Sequence, residues 1–349
     1  MKVQHVLNCG FSSWYPAFKN VTPRSFIIPL PKQFVDYLKA DRVFLPEGSG
    51  QIQPKGREDA ESDDEDYFDD DYEWNSTQDE NRVPDFPELD KKIRSCIEEL
   101  DGEVFPKLNW SSPKDAFWIS FSKTLLCTCP ADIYLLLKSS DFVTHDLTSP
   151  FEYCEDAECN QPELEYNLVL RRWVNIHPGS EFRCFVKNGA LLAICQRHDS
   201  EYYSFIEQNL ESIKTDITTF FKQRIASQFV LKEYVLDVYR KRQGKIVLLD
   251  FNPFGPVTDS LMFDWPELLS DHPFQKSSTD VEGSEDVQQL PVFRYIRESE
   301  SAMKPNPYAY YALPKDFVDL SLGTDPYKLV DFLKLQNSKM KTEESDEEK

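Results

Sequence analysis

The sequence predicts an α+β or α/β body. Three observations carry that prediction: strand-like runs alternate with helices from about residue 88 onward, two hairpin patterns lie in the second half, and a long apolar stripe at helical spacing separates them. Before that region, Phe26–Leu30 suggests a short strand feeding a helix with Phe34, Val35 and Leu38 on one face. Residues 88–100 predict a helix, with Leu89, Ile93, Ile97 and Leu100 on its apolar side. The stripe Ile206, Leu210, Ile213, Ile217, Phe220, Phe221 and Ile225 predicts one helix over about Phe205–Ala226 that faces the core.

The hairpins follow from turn chemistry. Glu181–Lys187 and Ala190–Arg197 flank Asn188-Gly189, the dipeptide that most readily takes the left-handed backbone of a tight two-residue turn. Tyr234–Tyr239 and Lys245–Phe251 are β-branched and aromatic runs around a polar stretch ending in Gln243-Gly244. The segments Leu30–Asp36 and Leu313–Asp319 share Leu-Pro-Lys-x-Phe-Val-Asp; both read as helix openings with Pro in the first turn, not as a duplication.

Charge divides the 349 residues into a body and appendages. The formal net charge is −22, but residues 58–90 hold 16 acids against one Arg, and residues 343–349 hold five against one Lys. Those stretches carry −15 and −4, which leaves −3 for the rest. The segment 48–81 has too few aliphatic residues to offset its ordering entropy and reads as a disordered acidic insertion. Residues 270–306 read as a mobile loop and 337–349 as a disordered acidic tail, so the body is 1–47 with 82–336. The acidic balance argues against nucleic acid as a partner. No apolar run approaches the roughly 20 residues that span a bilayer, so no membrane partner is expected. Eight cysteines lack zinc or disulfide spacing and read as reduced thiols of a cytoplasmic protein, which is expected to be a monomer.

The informative constellation is residues 230–255. With a two-residue turn at Gln243-Gly244, Arg242 faces Lys245 and Asp237 falls opposite Asp250, Cβ atoms about 5 Å apart on one sheet face. Asn252, two residues on, shares that face. Two carboxylates crowded in an apolar hairpin repel, and a cation between them relieves the repulsion. Two carboxylates and an amide oxygen suit Mg²⁺, which completes its shell with water and phosphate. The alternative reading has one Asp capping a turn and the other facing solvent. On the crowding argument, removing either carboxylate is expected to leave stability intact or raised.

Two further elements suit a polyanion. Val104–Lys107 delivers a lysine at a strand end beside the loop Asn109-Trp110-Ser111-Ser112, followed by Asp115. In the hairpin 181–197, Arg183 and Arg197 come near a common edge, to bind phosphate or to pair with Glu181 or Asp199.

In order along the chain, a strand lysine, an apolar hinge, a Glu-Phe hairpin, and then Asp with Asp-x-Asn thirteen residues on resemble the ATP-grasp superfamily. A closer resemblance is to the cell division cycle protein 123 family. It is carried by Phe11–Pro16, Phe105–Trp110, Glu181–Phe185, Asp250–Gly255 and Leu313–Leu320. It implies an ATP-grasp-like fold with the nucleotide between two subdomains. Lys107 would then meet phosphate, Arg172, Trp173 and Val174 would frame adenine, and Glu181 would meet ribose. Asp237, Asp250 and Asn252 would hold Mg²⁺. Asn109, Trp110, Ser111, Asp115, Arg171, Arg183 and Arg197 complete the implied ATP contacts. The chain departs from the superfamily in having Asp at position 250, where Glu is usual, and in a phosphate loop without glycine. The family resemblance further implies an assembly chaperone that engages the gamma subunit of eukaryotic translation initiation factor 2. The alternative is an ATP-grasp ligase or phosphotransferase that makes an acyl phosphate.

Overall fold

The computed structural model describes residues 1–40, 45, 46, 49, 85–120, 123–159, 162–270, 274 and 290–297. In chain order the elements are α1 (Val3–Cys9), α2 (Phe11–Phe18), β1 (Ser25–Pro29), α3 (Lys32–Lys39), α4 (Pro87–Glu99), β2 (Val104–Lys107), α5 (Pro130–Lys138), α6 (Asp141–Thr148), β3 (Asn167–Arg172), β4 (Glu181–Lys187), β5 (Ala190–Gln196), α7 (Ser204–Gln208), α8 (Leu210–Phe220), β6 (Tyr234–Arg242), β7 (Lys245–Pro253), α9 (Trp265–Leu269) and β8 (Val292–Arg294). The class is α+β, as the sequence predicts. Pro87, Pro130 and Pro266 open α4, α5 and α9, where a missing N–H costs nothing.

Two sheets organise the body. The smaller is antiparallel, in the order β1-β3-β2. Ile28, Val104, Leu168 and Leu170 from this sheet pack against Phe34, Ile93, Tyr134, Leu137 and Val143 of the surrounding helices. Tyr134 donates to the buried Asp90 carboxylate across that core, so neither polar group is left unpaired. The larger sheet runs β7-β6-β4-β5-β8 and is antiparallel except for the last pair. Its alternation sends Phe182, Cys184, Val186, Ile194, Leu236, Val238, Leu248 and Phe251 to one face, buried against α2 and α8. The opposite face begins apolar, with Phe185, Ala193 and Val235 packed against Phe263, and becomes charged at Arg183 and Asp237. At the β7 end of that stretch, Asp250 meets Lys107 of the smaller sheet.

The sheets meet along β7. Leu248 N–H donates to Val21 O at 2.8 Å, Thr22 Oγ1 donates to Leu248 O at 2.8 Å, and Arg171 Nη1 donates to Leu249 O at 2.8 Å. The edge strand therefore has its outward groups engaged by residues from the N-terminal segment and β3 instead of lying open.

Three expectations need correction. The stripe after residue 205 is core, but one helix becomes two: Asn209 leaves helical geometry at φ −119°, and its Nδ2 donates to Phe205 O at 2.9 Å. Asparagine competes for backbone groups in this way where an aliphatic residue would continue the helix. α8 then ends in a π-helical turn at Phe221–Ile225, which keeps Phe221 and Ile225 in the core. The stretch 270–306 is not wholly a loop, because β8 pairs with β5 in parallel and Ile296 is buried. Its apolar run is only a few residues long inside polar sequence, which hides the strand. Within 48–81, Ser49 is buried and its carbonyl accepts from Ala131 N–H; the other residues of that insertion, the Leu313–Asp319 helix opening and the tail 337–349 lie outside the described residues. The Asn188-Gly189 turn forms as read, with φ 53° and 75°.

The hinge from β3 to β4 turns tightly at Pro178–Ser180, where the Gly179 amide donates to His177 Nδ1. A Cβ at Gly179 would lie 2.6 Å from Tyr203 Cγ and 2.8 Å from Phe205 Cζ, the ring-packed start of α7. Gly179→Ala is expected to cost about 1–3 kcal/mol by overpacking. Urea unfolding of the variant checks this; an unchanged midpoint and slope would show that the rings have room to move.

Candidate functional site

The β6–β7 hairpin decides where the carboxylates go. Arg242 pairs with Lys245, as the turn predicts, but pairing then slips by one at Lys241 and slips back at Leu249. The two irregularities cancel, and Asp237 pairs with Asp250. Asp237 also pairs with Arg183 on β4, which pairs with Cys195 on β5. One row across the sheet thus reads Asp250, Asp237, Arg183, Cys195. Asn252 Nδ2 lies 3.4 Å from Asp237 Oδ2, so the three residues expected to meet a metal are gathered at one spot.

The carboxylates do not face each other bare, as the crowding argument assumes. Arg183 grips Asp237 through two bonds of 2.8 Å, with both side chains buried, and Arg197 Nε is 3.6 Å from the same carboxylate. Burial alone would raise the Asp237 pKa, but Arg183 and Arg197 more than offset it and hold the carboxyl well below its usual range. Lys107, only 1% exposed at the end of β2, places its Nζ 2.5 Å from Asp250 Oδ2. The stability expectation for Asp237 therefore reverses. Its removal would strand a buried guanidinium, which costs about 3–5 kcal/mol.

Around this row, Glu181 sits beside Arg197 at 3.8 Å and His198 at 3.6 Å. Its carboxyl is lowered despite burial, by the His198 hydrogen bond and by the Lys114 and Arg197 charges. Arg171 is buried and lies 5.3 Å over the Phe11 ring, against β7. Lys114 is the residue that the sequence reading passes over. It is partly buried and comes from the opposite wall; burial and the Arg197 charge bring its ammonium down to about 7, against the pull of Glu181 and Asp237. Its signal was a second lysine seven residues after Lys107 in the loop already singled out. Lys107, Arg171, Arg183 and Arg197, with Lys114 partly charged at neutral pH, thus surround three acids, a balance that favours an anion.

The other loop residues are spent on the scaffold. Asn109 Nδ2 donates to Glu165 O, and its Oδ1 accepts from Asn167 N–H. Trp110 Nε1 donates to Val6 O. Both the amide and the hydroxyl of Ser111 donate to Asp146, at 2.7 and 2.8 Å. Asp115 accepts from Ser140 Oγ and from the amides of Asp141 and Phe142, closing the start of α6. The contacts expected of Asn109, Trp110, Ser111 and Asp115 thus shift from ligand-facing to structural, because a loop without glycine is held by side chains. At the hinge, Arg172 points away to Asp101 at 2.8 Å, and the Trp173 amide donates to Glu103 O. Val174 lines a groove of about 540 Å³ with Ile176, Tyr239, Val247 and Leu249. The groove also takes in Asp216, Arg224, Lys241 and Lys245, and Tyr239 on its wall pairs with Glu181 on β4.

Among the described residues, no group of three or more His, Cys, Asp or Glu side chains could hold a metal alone. Two carboxylates and an amide offer hard oxygen donors for Mg²⁺ but leave much of its shell to water and to an anion's oxygens. No helix among the described residues is long and apolar enough to cross a membrane.

A buried acid–base row, with Lys107 of the smaller sheet meeting Asp250 of the larger, makes this the candidate site of an α+β protein. The D123 family profile matches residues 14–321, and the chain belongs to that family. It is 47% identical to the translation initiation factor eIF2 assembly protein of Xenopus tropicalis, over 99% of this chain and 100% of that protein. It is 36% identical to cell division cycle protein 123 of Aspergillus terreus, over 91% of this chain and 85% of that protein. Among solved structures, that of Cdc123 from Schizosaccharomyces pombe matches with a TM-score of 0.66 at 33% identity, covering 85% of this chain and 99% of that one.

Asp146 gives this site a pH signature. Burial raises its carboxyl to about 6 against the Ser111 bonds that lower it. The folded state therefore binds this proton more tightly than the unfolded chain, so the stability it lends is present below about pH 4 and lost as pH rises through 6. Asp146→Asn, which mimics the protonated form, should gain on the wild type by at most about 3 kcal/mol between pH 4 and pH 7.5. Urea unfolding across that range measures it, and a constant difference would place Asp146 at an ordinary pKa.

Proposed function

We propose that this protein binds ATP with magnesium in the cleft between the two sheets. It uses that site as a cytoplasmic, monomeric assembly chaperone for eukaryotic translation initiation factor 2, engaging the factor's gamma subunit. One observation carries the nucleotide reading: Lys107, Arg171, Arg183 and Arg197, joined by Lys114, gather around Glu181, Asp237 and Asp250, and a groove bounded by Val174, Tyr239 and Leu249 lies on the same hairpin. A planar base would suit the apolar part of the groove, Glu181 would meet ribose hydroxyls, and Lys107, Lys114, Arg183 and Arg197 would meet phosphate oxygens. The Leu249 bulge supports this by turning Leu249 toward the groove while Asp250 stays in the row. Asp237, Asp250 and Asn252 would hold magnesium, which when bound neutralises phosphate charge. The sequence order of these residues, which resembles the ATP-grasp superfamily, supports the same reading, and the names of the relatives support the chaperone role.

Asp250→Asn keeps an oxygen for Lys107 but removes the charge. In calorimetry, its ATP affinity with magnesium should fall to the level the wild type shows in EDTA; an unchanged magnesium-dependent affinity would remove Asp250 from the site.

A ligase or phosphotransferase would leave a covalent mark. After incubation with ATP and the gamma subunit, mass spectrometry is expected to find an assembled, unmodified partner. A new mass on the partner would turn the reading to an enzyme.

A further inference from the structure

Each residue that would meet a divalent cation is already bonded within the protein. Asp250 Oδ2 is held by Lys107 Nζ at 2.5 Å, Asp237 takes two bonds from Arg183, and Asn252 Nδ2 turns to Asp237. Lys107 is 1% exposed, so its ammonium cannot reach water if it leaves Asp250, and losing that counter-charge while buried carries a large cost. A free cation arriving at Asp250 would meet that ammonium at contact range, with Arg171, Arg183, Arg197 and Lys114 nearby. A polyphosphate arriving at the same place meets an excess of positive charge.

Resting on the nucleotide reading above, we propose that the cleft is closed to a free divalent cation and takes one only together with a polyphosphate, because the anion must draw Lys107 off Asp250. Phosphate oxygens then replace Asp250 as the counter-charge of Lys107, and the released carboxylate, with Asn252 and further phosphate oxygens, becomes available to the cation. Reciprocity follows: the anion and the cation raise each other's affinity by the same factor. Lys107 is thus a latch on the metal position as well as a phosphate contact.

The test uses the full chain and Mn²⁺ as the probe, read by electron paramagnetic resonance without nucleotide. Asp250→Asn serves as the reference, since acidic stretches elsewhere bind Mn²⁺ weakly in both proteins. Wild type should show no Mn²⁺ binding beyond the Asp250→Asn background. Lys107→Met, which keeps the aliphatic stem but frees the carboxylate, should gain one site that a Lys107→Met/Asp250→Asn double variant loses. That site should bind Mn²⁺ at least roughly tenfold more tightly than wild type does, a change of about 1.4 kcal/mol. A wild-type site that Asp250→Asn removes, or a folded Lys107→Met with no gain, overturns the proposal. If Lys107→Met fails to fold, the comparison of wild type with Asp250→Asn decides alone. No arm contains nucleotide, so a failure to bind ATP in calorimetry would sink the nucleotide reading and leave the latch standing.

Discussion

A buried ammonium needs a counter-charge, and the body of this protein is arranged so that Lys107 of one sheet finds it on the other. Lys107 ends β2 with 1% of its surface exposed, and its carboxylate partner, Asp250, is on β7 of the larger sheet. An isolated charge there would be prohibitively costly. The contact therefore fixes the spacing of the sheets at the cleft, with the Arg171 bond to Leu249 O and the Thr22 bond to Leu248 O holding the same edge. Everything placed around the cleft inherits that spacing.

The larger sheet separates two kinds of work by alternation. On one face, Phe182, Leu236, Leu248 and Phe251 bury against α2 and α8, with Phe229 stacked on Phe251 at 3.9 Å. That face supplies the hydrophobic stabilisation. The other face can then carry Arg183, Asp237 and Asp250 in one row, because their backbone is held from behind. Crowded charge is tolerated on such a support because each member has a partner: Asp237 has Arg183, Asp250 has Lys107, and Arg197 has Glu181 and Asp237.

The loop after Lys107 is held differently from a glycine-rich phosphate loop. Glycine-rich loops rely on free backbone amides that wrap a phosphate. Here the Ser111 amide and hydroxyl are committed to Asp146, Asn109 spans to β3, and Asp115 caps α6. The loop is pinned at three points by buried acids and an amide, so its contribution to the cleft comes through the charged side chains Lys107 and Lys114. Rigidity of this kind favours a pre-formed site over one that closes like a lid.

Periodicity and turn chemistry were enough to place the elements that matter most. The alternating runs around Gln243-Gly244 put Asp237 opposite Asp250, and Asn188-Gly189 made its turn, because both signals are local and set by backbone geometry. The helix break at Asn209 and the three-residue strand at Val292 were hidden, since one depends on a side chain competing with the helix and the other on a sheet edge waiting to be filled. Residue type could nominate Lys107, Asp237, Asp250 and Arg183, but not their pairing. Which base meets which acid depends on how two sheets far apart in sequence dock, and 143 residues separate Lys107 from Asp250. The same limit explains Asn109, Ser111 and Asp115: polar residues in a loop look alike in sequence whether they face a ligand or a buried acid. By itself the sequence determined the α+β class, the hairpins and which charged residues the hairpins carry; only the tertiary structure decided which charges neutralise each other, because burial and distance set those energies and neither is written locally.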